Sequence, residues 1–164
     1  MTDAARSAQM ALVRGKDTGP EMLVRRALHA AGLRYVLHDK RLPGRPDIVL
    51  PSRGCIVEVR GCFWHRHPDP RCPLTRTPKS RLEFWEGKFA ENVARDQRND
   101  SVLREMGWHL IVAWECELLR DGPQPVVDAV LALPPVIKPP HRPKPSAPRR
   151  TGRRKSVKSR KALT

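Results

Sequence analysis

Two cysteines and two histidines lie close together in this sequence, between Cys62 and Cys72. A further cysteine, Cys116, follows an apolar strand that can return beside them in a small sheet. Thiolate and imidazole groups are the ligands of tetrahedral structural Zn²⁺, so we predict a Cys₃His site. Its four ligands are Cys62, His67, Cys72 and Cys116. The alternative is separate reduced cysteines in the core, which we expect for Cys55 because it lies inside an apolar strand.

A second pattern indicates a site for a hard cation. Asp47 lies at the start of one predicted strand, and Glu58, Val59 and Arg60 lie on the next. A strand hairpin would bring carboxylate and carbonyl oxygens together, and such oxygens can hold Mg²⁺ against a phosphate. The pattern resembles the PD-(D/E)XK nuclease motif, with Arg60 in place of the usual lysine. This motif is short and arises often by chance, so the alternative is that Asp47 caps a turn and Glu58 is exposed.

His65 is not needed as a zinc ligand, and a free imidazole beside a metal-bearing strand is a candidate general base. Asp96 is the candidate to orient it, because Phe89, Asp96 and Leu103 share one face of a predicted long helix. A carboxylate within an apolar stripe needs a partner or water. The alternatives are a surface histidine without a role and a half-exposed Asp96 paired with a basic side chain.

Aromatic residues stand next to these groups. Phe63 and Trp64 follow Cys62 directly in what we expect to be an exposed loop, and Trp85 begins the long helix. Such rings could wedge between base pairs or stack on bases. The alternative is core packing, which we expect for at least one aromatic ring of the long helix.

Charge adds an indication of the partner. Lysine and arginine number 32 against 17 acidic residues, a net charge of +15. Residues 134–164 hold 11 of these basic residues and no acidic one, which leaves only +4 for residues 1–133. The excess suggests a polyanionic partner, although the tail is equally explained as a solvated extension. Because no apolar run approaches the ~20 residues of a membrane span, and no secretory core is present, we expect a cytoplasmic protein.

The elements that must position these groups follow from the pattern of apolar residues. Thr18 and Glu21 form a capping box at the start of a helix that Gly32 is placed to end. The remaining elements are strands at 47–50, 55–60 and 108–114, a long helix over 80–106 and a short helix over 124–133. This order predicts an α/β domain with a small mixed β-sheet flanked by helices.

Three segments divide the chain. Residues 1–16 are predicted to be a flexible N-terminal arm, and residues 17–133 the folded domain. Residues 134–164 contain seven prolines among the basic residues and cannot build a core, so they are predicted to be a disordered basic tail.

Several motifs in order resemble the very short patch repair endonuclease family, from about Arg6 to Leu118. They are the segments Lys16–Glu21, Leu42–Val49, Gly61–His65, Phe84–Trp85, Asn92–Asp96 and Val112–Cys116. The resemblance implies a restriction-endonuclease-like fold, also described as PD-(D/E)XK, with a structural zinc site. It further implies a Mg²⁺-dependent endonuclease that nicks one strand 5′ to the T of a T·G mismatch in double-stranded DNA. Such mismatches arise by deamination of 5-methylcytosine, and the nick initiates very short patch repair.

The resemblance also implies roles by matching position. Asp47 would bind Mg²⁺ with the backbone carbonyl of Val59, His65 would be the general base, Asp96 its orienting partner and Glu21 a helper carboxylate. The side chains intercalating beside the mismatch would be Phe63, Trp64 and Trp85, and the zinc ligands Cys62, His67, Cys72 and Cys116.

Two positions depart from the family pattern. Arg60 stands where a second active-site histidine is found, and four residues separate His67 from Cys72, a longer spacing than in the family motif. The expected partners besides DNA are mismatch-repair proteins and a repair polymerase, and we expect a monomer that does not bind membranes. The alternatives are another restriction-like Mg²⁺-dependent nuclease and a zinc-braced DNA-binding module without activity.

Overall fold

The structure is a computed structural model that describes residues 16–140 of the chain. The first helix, α1, spans Gly19–Ala30 and starts as predicted, with the Thr18 side chain accepting from the backbone N–H of Glu21 at 3.4 Å. Gly32 follows the helix with φ of +77°, the left-handed conformation that glycine adopts without steric cost. The predicted start and end of this helix are confirmed.

A small mixed sheet of four strands follows, confirming the predicted α/β architecture. Its strands are β1 (Val36–Leu37), β2 (Ile48–Leu50), β3 (Cys55–Arg60) and β4 (His109–Trp114). They lie in the order β1-β2-β3-β4, with antiparallel pairing except between β3 and β4. Because β3 and β4 run parallel, with Arg60 opposite Trp114, the segments after both strands leave the sheet at the same edge. That edge carries most of the predicted site residues.

Helices cover both faces of the sheet. They are α2 (Cys62–His65), α3 (Leu82–Glu105), α4 (Glu115–Asp121) and α5 (Gln124–Ala132). On one face, Ile48 and Val57 pack with Val24 of α1 and Val130 of α5 in one buried cluster. On the other face, alternate strand residues join Leu103 of α3 and Trp108 in a second cluster. The long predicted helix and the closing helix are both present, and their ends differ from the predicted ones by one or two residues.

Three local predictions differ from the structure. The two-residue strand β1 was not expected, and neither was α4 after Trp114. Cys62–His65 forms a short helix rather than the expected exposed loop, because His65 N–H donates to the Gly61 carbonyl at 3.1 Å.

The beginning of the predicted tail contacts the domain. Val136 N–H donates to the Ser52 carbonyl at 2.9 Å, and Pro140 approaches Gly54. The predicted disorder of residues 141–164 and the predicted flexibility of residues 1–15 concern segments outside the described residues. Among residues 16–140, no helix combines the length and apolar character needed to cross a bilayer.

Candidate active site and metal centre

A cavity of about 760 Å³ lies at the edge of the sheet where β3 and β4 end. Its walls come from α1, the loop before β2, the end of β3, α2 and α3. All four residues predicted to be catalytic line it: Glu21, Asp47, His65 and Asp96. Residues from these five parts of the chain, together with Glu115 of α4, thus line one cavity.

Asp47 is held at the start of β2 by the neighbouring strand. Val59 N–H donates to Asp47 Oδ2 at 2.9 Å. In a strand, the N–H and C=O of one residue face the same neighbouring strand, so the Val59 carbonyl faces the Asp47 side. Asp47 and Val59 are therefore adjacent, as the predicted pair of oxygen ligands requires.

Glu58 lies in the same cavity and is partly buried, so the alternative of an exposed Glu58 is wrong. Burial, followed by the charge of Asp47, raises the pKa of Glu58 to about 8. Several carboxylates thus lie close together in a partly buried site. Such a set favours either a bound proton or a bound cation.

Arg60 lies on the same face of β3 as Glu58, because alternate strand residues share a face. Its guanidinium donates to Asp100 Oδ1 at 2.5 Å, and both side chains are only 12% exposed. The position that departs from the family pattern therefore carries a fixed positive charge inside the cavity.

His65 and Asp96 form the predicted pair. Nδ1 of His65 lies 2.5 Å from Asp96 Oδ2, and both side chains are largely buried, with 27% and 14% exposed. The helix α2 that carries His65 is tied to α3, because the Asn92 side-chain amide donates to the Trp64 carbonyl at 3.2 Å. Because Nδ1 of His65 is paired with Asp96, Nε2 is the ring nitrogen that can accept a proton from another group.

Glu21 is only 3% exposed and accepts several hydrogen bonds. The donors are Asp17 N–H at 2.8 Å and Arg25 Nη1 at 3.2 Å, while His38 Nε2 lies 3.3 Å from it. His38 also faces Asp47, with Nδ1 3.9 Å from Oδ1. The sequence analysis did not identify His38, and its left-handed backbone, with φ of +48°, gives no signal in sequence.

The predicted zinc ligands also come together. Ligand atoms of Cys62, His67, Cys72 and Cys116 all lie within 4.8 Å of one another. The parallel pairing of β3 and β4 explains this, because Cys62 and Cys116 each lie two residues beyond the end of their strand. Cys72 belongs to the group despite its longer spacing from His67. Cys55 is fully buried in the strand core and apart from this group, as expected.

Contacts within this cluster match those of a metal-ligand set. Cys116 N–H donates to Cys62 Sγ at 3.4 Å, and His67 Nδ1 lies 3.4 Å from Cys116 Sγ. Burial raises the pKa of Cys62 to about 12, so without a cation its thiol stays protonated at neutral pH. A bound metal would reverse this preference, because coordination deprotonates a thiol.

The three aromatic residues predicted to contact DNA form one cluster. Phe63 contacts both Trp64 and Phe89 edge to face, with ring centroids 5.1 Å apart in each pair. Trp85 stacks on Phe89 at 5.7 Å, which makes Phe89 the buried ring expected on the long helix. The expectation that Phe63 and Trp64 lie in an exposed loop is wrong, since both are half-buried on a short helix. Of the three predicted residues, Trp64 alone lines the cavity.

The chain is similar to a known protein family and to several known proteins. Residues 1–71 match the family described as DNA mismatch endonuclease Vsr. A type II nicking enzyme of Xanthomonas oryzae pv. oryzae is 50% identical over 109 residues, which cover 66% of this chain and 78% of that protein. The DNA mismatch endonuclease Vsr of Escherichia coli is 41% identical over 115 residues, which cover 70% of this chain and 72% of that protein.

A third relative, a type II nicking enzyme of Neisseria meningitidis, is 43% identical over 117 residues, covering 71% and 81% of the two chains. These identities extend over 66–81% of each protein. The chain belongs to the family of Vsr DNA mismatch endonucleases.

Proposed function

We propose that this protein nicks one strand of double-stranded DNA 5′ to the T of a T·G mismatch, with Mg²⁺ as catalytic ion. One observation carries the proposal: the His65–Asp96 pair lies in the same cavity as Asp47. A DNA-binding module without activity would have no use for this arrangement. The membership in a family of mismatch endonucleases supports the substrate.

The residues at the end of the sheet fit a hard divalent cation. Asp47 and Glu58 supply carboxylate oxygens, and the Val59 carbonyl faces the same place. Mg²⁺ prefers one or two carboxylates and keeps several water molecules, which the volume of the cavity allows. When bound, Mg²⁺ polarises the scissile phosphate and stabilises the charge that develops on it. This arrangement of strands and carboxylates supports the restriction-endonuclease-like (PD-(D/E)XK) assignment.

His65 takes a proton from the attacking water molecule. Its Nδ1 is occupied by Asp96, which fixes the tautomer with Nε2 unprotonated and stabilises the imidazolium that forms. Arg60, held by Asp100, adds a fixed positive charge that can meet a phosphate oxygen. These side chains therefore bind the phosphate, orient the base and receive the proton.

The second metal in the proposal is structural Zn²⁺. Three thiols and one imidazole match the donor set and number of closed structural zinc sites. The site braces α2 against the segment after β4, and α2 carries both His65 and Trp64. Zinc therefore acts on catalysis only by holding these residues in place.

The position of the nick tests the proposed function. Duplexes carrying a single T·G pair, each labelled on one strand, are incubated with protein and Mg²⁺, and the products are mapped. We expect only the T-containing strand to be cut, with the mismatched T at the new 5′ end. Cuts in both strands would indicate a restriction-like nuclease, and intact DNA that is nevertheless bound would indicate a module without activity.

Replacing Trp64 tests how the mismatch is recognised. A T·G pair stacks poorly, so an aromatic ring can enter the duplex there at lower cost than at a T·A pair. Because a stacked ring contributes ~1–3 kcal/mol, we expect Trp64→Ala to lower the ratio of nicking rates on T·G and T·A duplexes by about 5- to 150-fold.

The matched control is Phe84→Ala, which removes a neighbouring ring that is 54% exposed and lies outside the cavity lining. We expect this variant to keep the wild-type ratio. If Trp64→Ala also keeps the ratio while remaining folded, the ring serves packing alone and does not recognise the mismatch.

A further inference from the structure

His38 stands between two carboxylates of the cavity. Its Nε2 lies 3.3 Å from Glu21 Oε1, and its Nδ1 lies 3.9 Å from Asp47 Oδ1. The imidazole is largely shielded, with 19% of its side chain exposed. Each ring nitrogen thus faces an acidic oxygen on a different element, α1 on one side and the start of β2 on the other.

The backbone fixes this position. His38 N–H donates to the Asp47 carbonyl at 3.3 Å, which extends the β1–β2 pairing by one step and places the two residues opposite each other. The φ of His38 is +48°, a left-handed conformation that is uncommon outside glycine. Strained backbone persists where surrounding structure holds it, and it concentrates at functional sites. The side chain is therefore directed by the fold toward Asp47.

Glu21 is anchored on its far side. The backbone N–H of Asp17 and the Arg25 guanidinium both donate to its carboxylate, at 2.8 and 3.2 Å. Because Glu21 is 3% exposed and these contacts lie at the first turn of α1, its carboxylate cannot turn toward a substrate without losing them. Glu21 therefore offers a fixed acceptor to His38 rather than a mobile group for the substrate.

Asp17, Glu21 and His38 could be taken for a cation site of their own, since their ligand atoms lie within 4.8 Å of one another. Arg25 already pairs with both carboxylates of this group. The guanidinium of Arg25 already neutralises these carboxylates, so we do not assign a second metal site to Asp17, Glu21 and His38.

We propose that Glu21 and His38 are positioning residues that orient the Asp47 carboxylate for metal binding, an inference that rests on the proposed function. Val59 N–H holds Oδ2 of Asp47, and His38, fixed by Glu21, faces Oδ1. A backbone hydrogen bond thus holds one oxygen of this carboxylate, and the imidazole 3.9 Å away limits the orientation of the other. Glu21 acts on the reaction through His38 and Asp47, which gives the helper carboxylate of the sequence analysis a specific task.

The test is direct metal binding, measured by electron paramagnetic resonance with Mn²⁺ titrated into the zinc-loaded protein. Groups that hold a metal's own ligands change its affinity by about 10–100-fold. We therefore expect His38→Ala to weaken Mn²⁺ binding at least about tenfold, and His38→Gln, whose amide can still donate to Glu21, to restore most of it. His29→Ala, which removes an exposed histidine near the end of α1, is the matched control and should bind Mn²⁺ like the wild type.

Glu21→Gln tests whether the effect of Glu21 on Mn²⁺ affinity depends on His38. If Glu21 acts through His38, the double variant that combines Glu21→Gln with His38→Ala should bind Mn²⁺ no more weakly than His38→Ala alone. Wild-type Mn²⁺ affinity in folded His38→Ala, or fully additive losses in the double variant, would overturn the inference. Asp47→Ala distinguishes failure of this inference about Glu21 and His38 from failure of the proposed function. If Asp47→Ala binds Mn²⁺ like the wild type, Asp47 is not the metal ligand and the proposed function itself fails.

Discussion

Asp47→Ala is expected to abolish nicking while leaving the fold and most of the DNA affinity intact. Charge stabilisation by a metal on the scissile phosphate contributes several kcal/mol to the transition state, so the rate should fall about a thousandfold or more. The loss follows from removing the carboxylate that Val59 N–H holds, and that His38 faces, at the end of the sheet. Single-turnover nicking of a T·G duplex measures the rate, and gel-shift titration measures the affinity.

Asp128→Ala is the matched control for this variant. Asp128 is exposed on α5, and its side chain accepts a hydrogen bond from Gln124 on the same helix at 2.7 Å. The nicking rate of this variant should equal that of the wild type. Nicking by Asp47→Ala within a factor of about ten of the wild-type rate, well above the expected loss, would show that the metal is bound elsewhere.

Cys116→Ser is expected to have the largest effect on stability. Structural zinc sites in small domains bind with an apparent ~10–16 kcal/mol, which is comparable to the whole free energy of unfolding of a domain. Removing one ligand from the Cys62, His67, Cys72 and Cys116 set should therefore remove most of the bound zinc and greatly lower the melting temperature. Elemental analysis and thermal unfolding measure the two effects, and the wild type should contain about one zinc per chain.

Cys55→Ala separates loss of a ligand from loss of a core thiol. Cys55 is fully buried between strands and lies outside the cluster, so this variant should keep its zinc and lose only packing energy. A wild-type protein that is metal-free and well folded would contradict the zinc assignment, as would full zinc content in Cys116→Ser.

Site residues could be predicted from the sequence where the chemistry requires particular residue types, such as carboxylates, imidazoles and thiols. Asp47, His65 and Asp96 were predicted from residue type, helical spacing and family resemblance, and the structure brings all three to one cavity. The zinc ligands were predicted from spacing, and the parallel β3–β4 pair accounts for their meeting.

The sequence could not predict features that depend on the paths of distant segments. His38 lies after a two-residue strand too short to give a periodic signal, and its left-handed backbone directs it toward Asp47. Glu58 was visible as part of a motif, but its burial depends on α3 packing over the sheet edge. The helix at Cys62–His65 was missed because four residues are too few for a helical pattern.

The segment from Pro134 onward also shows what composition alone cannot predict. Its prolines and basic residues predicted disorder from Pro134 onward, since such a composition cannot form a core. The segment nevertheless contacts the domain at Val136, which donates a backbone hydrogen bond to Ser52. A single backbone contact of this kind depends on where the last helix ends, and composition carries no information about that.

The central claim is that this cavity hydrolyses one DNA strand because a mismatch is present and a divalent cation is bound. The measurement that tests it most directly is the initial rate of nicking by the wild-type protein on two duplexes that differ only in T·G against T·A. Each is assayed with Mg²⁺ and in metal-free buffer without added Mg²⁺, because a strong chelator would also remove a structural zinc ion. Rapid nicking of the T·G duplex alone, and only with Mg²⁺, is the predicted result. Equal nicking of both duplexes, or nicking that persists without Mg²⁺, would contradict the account.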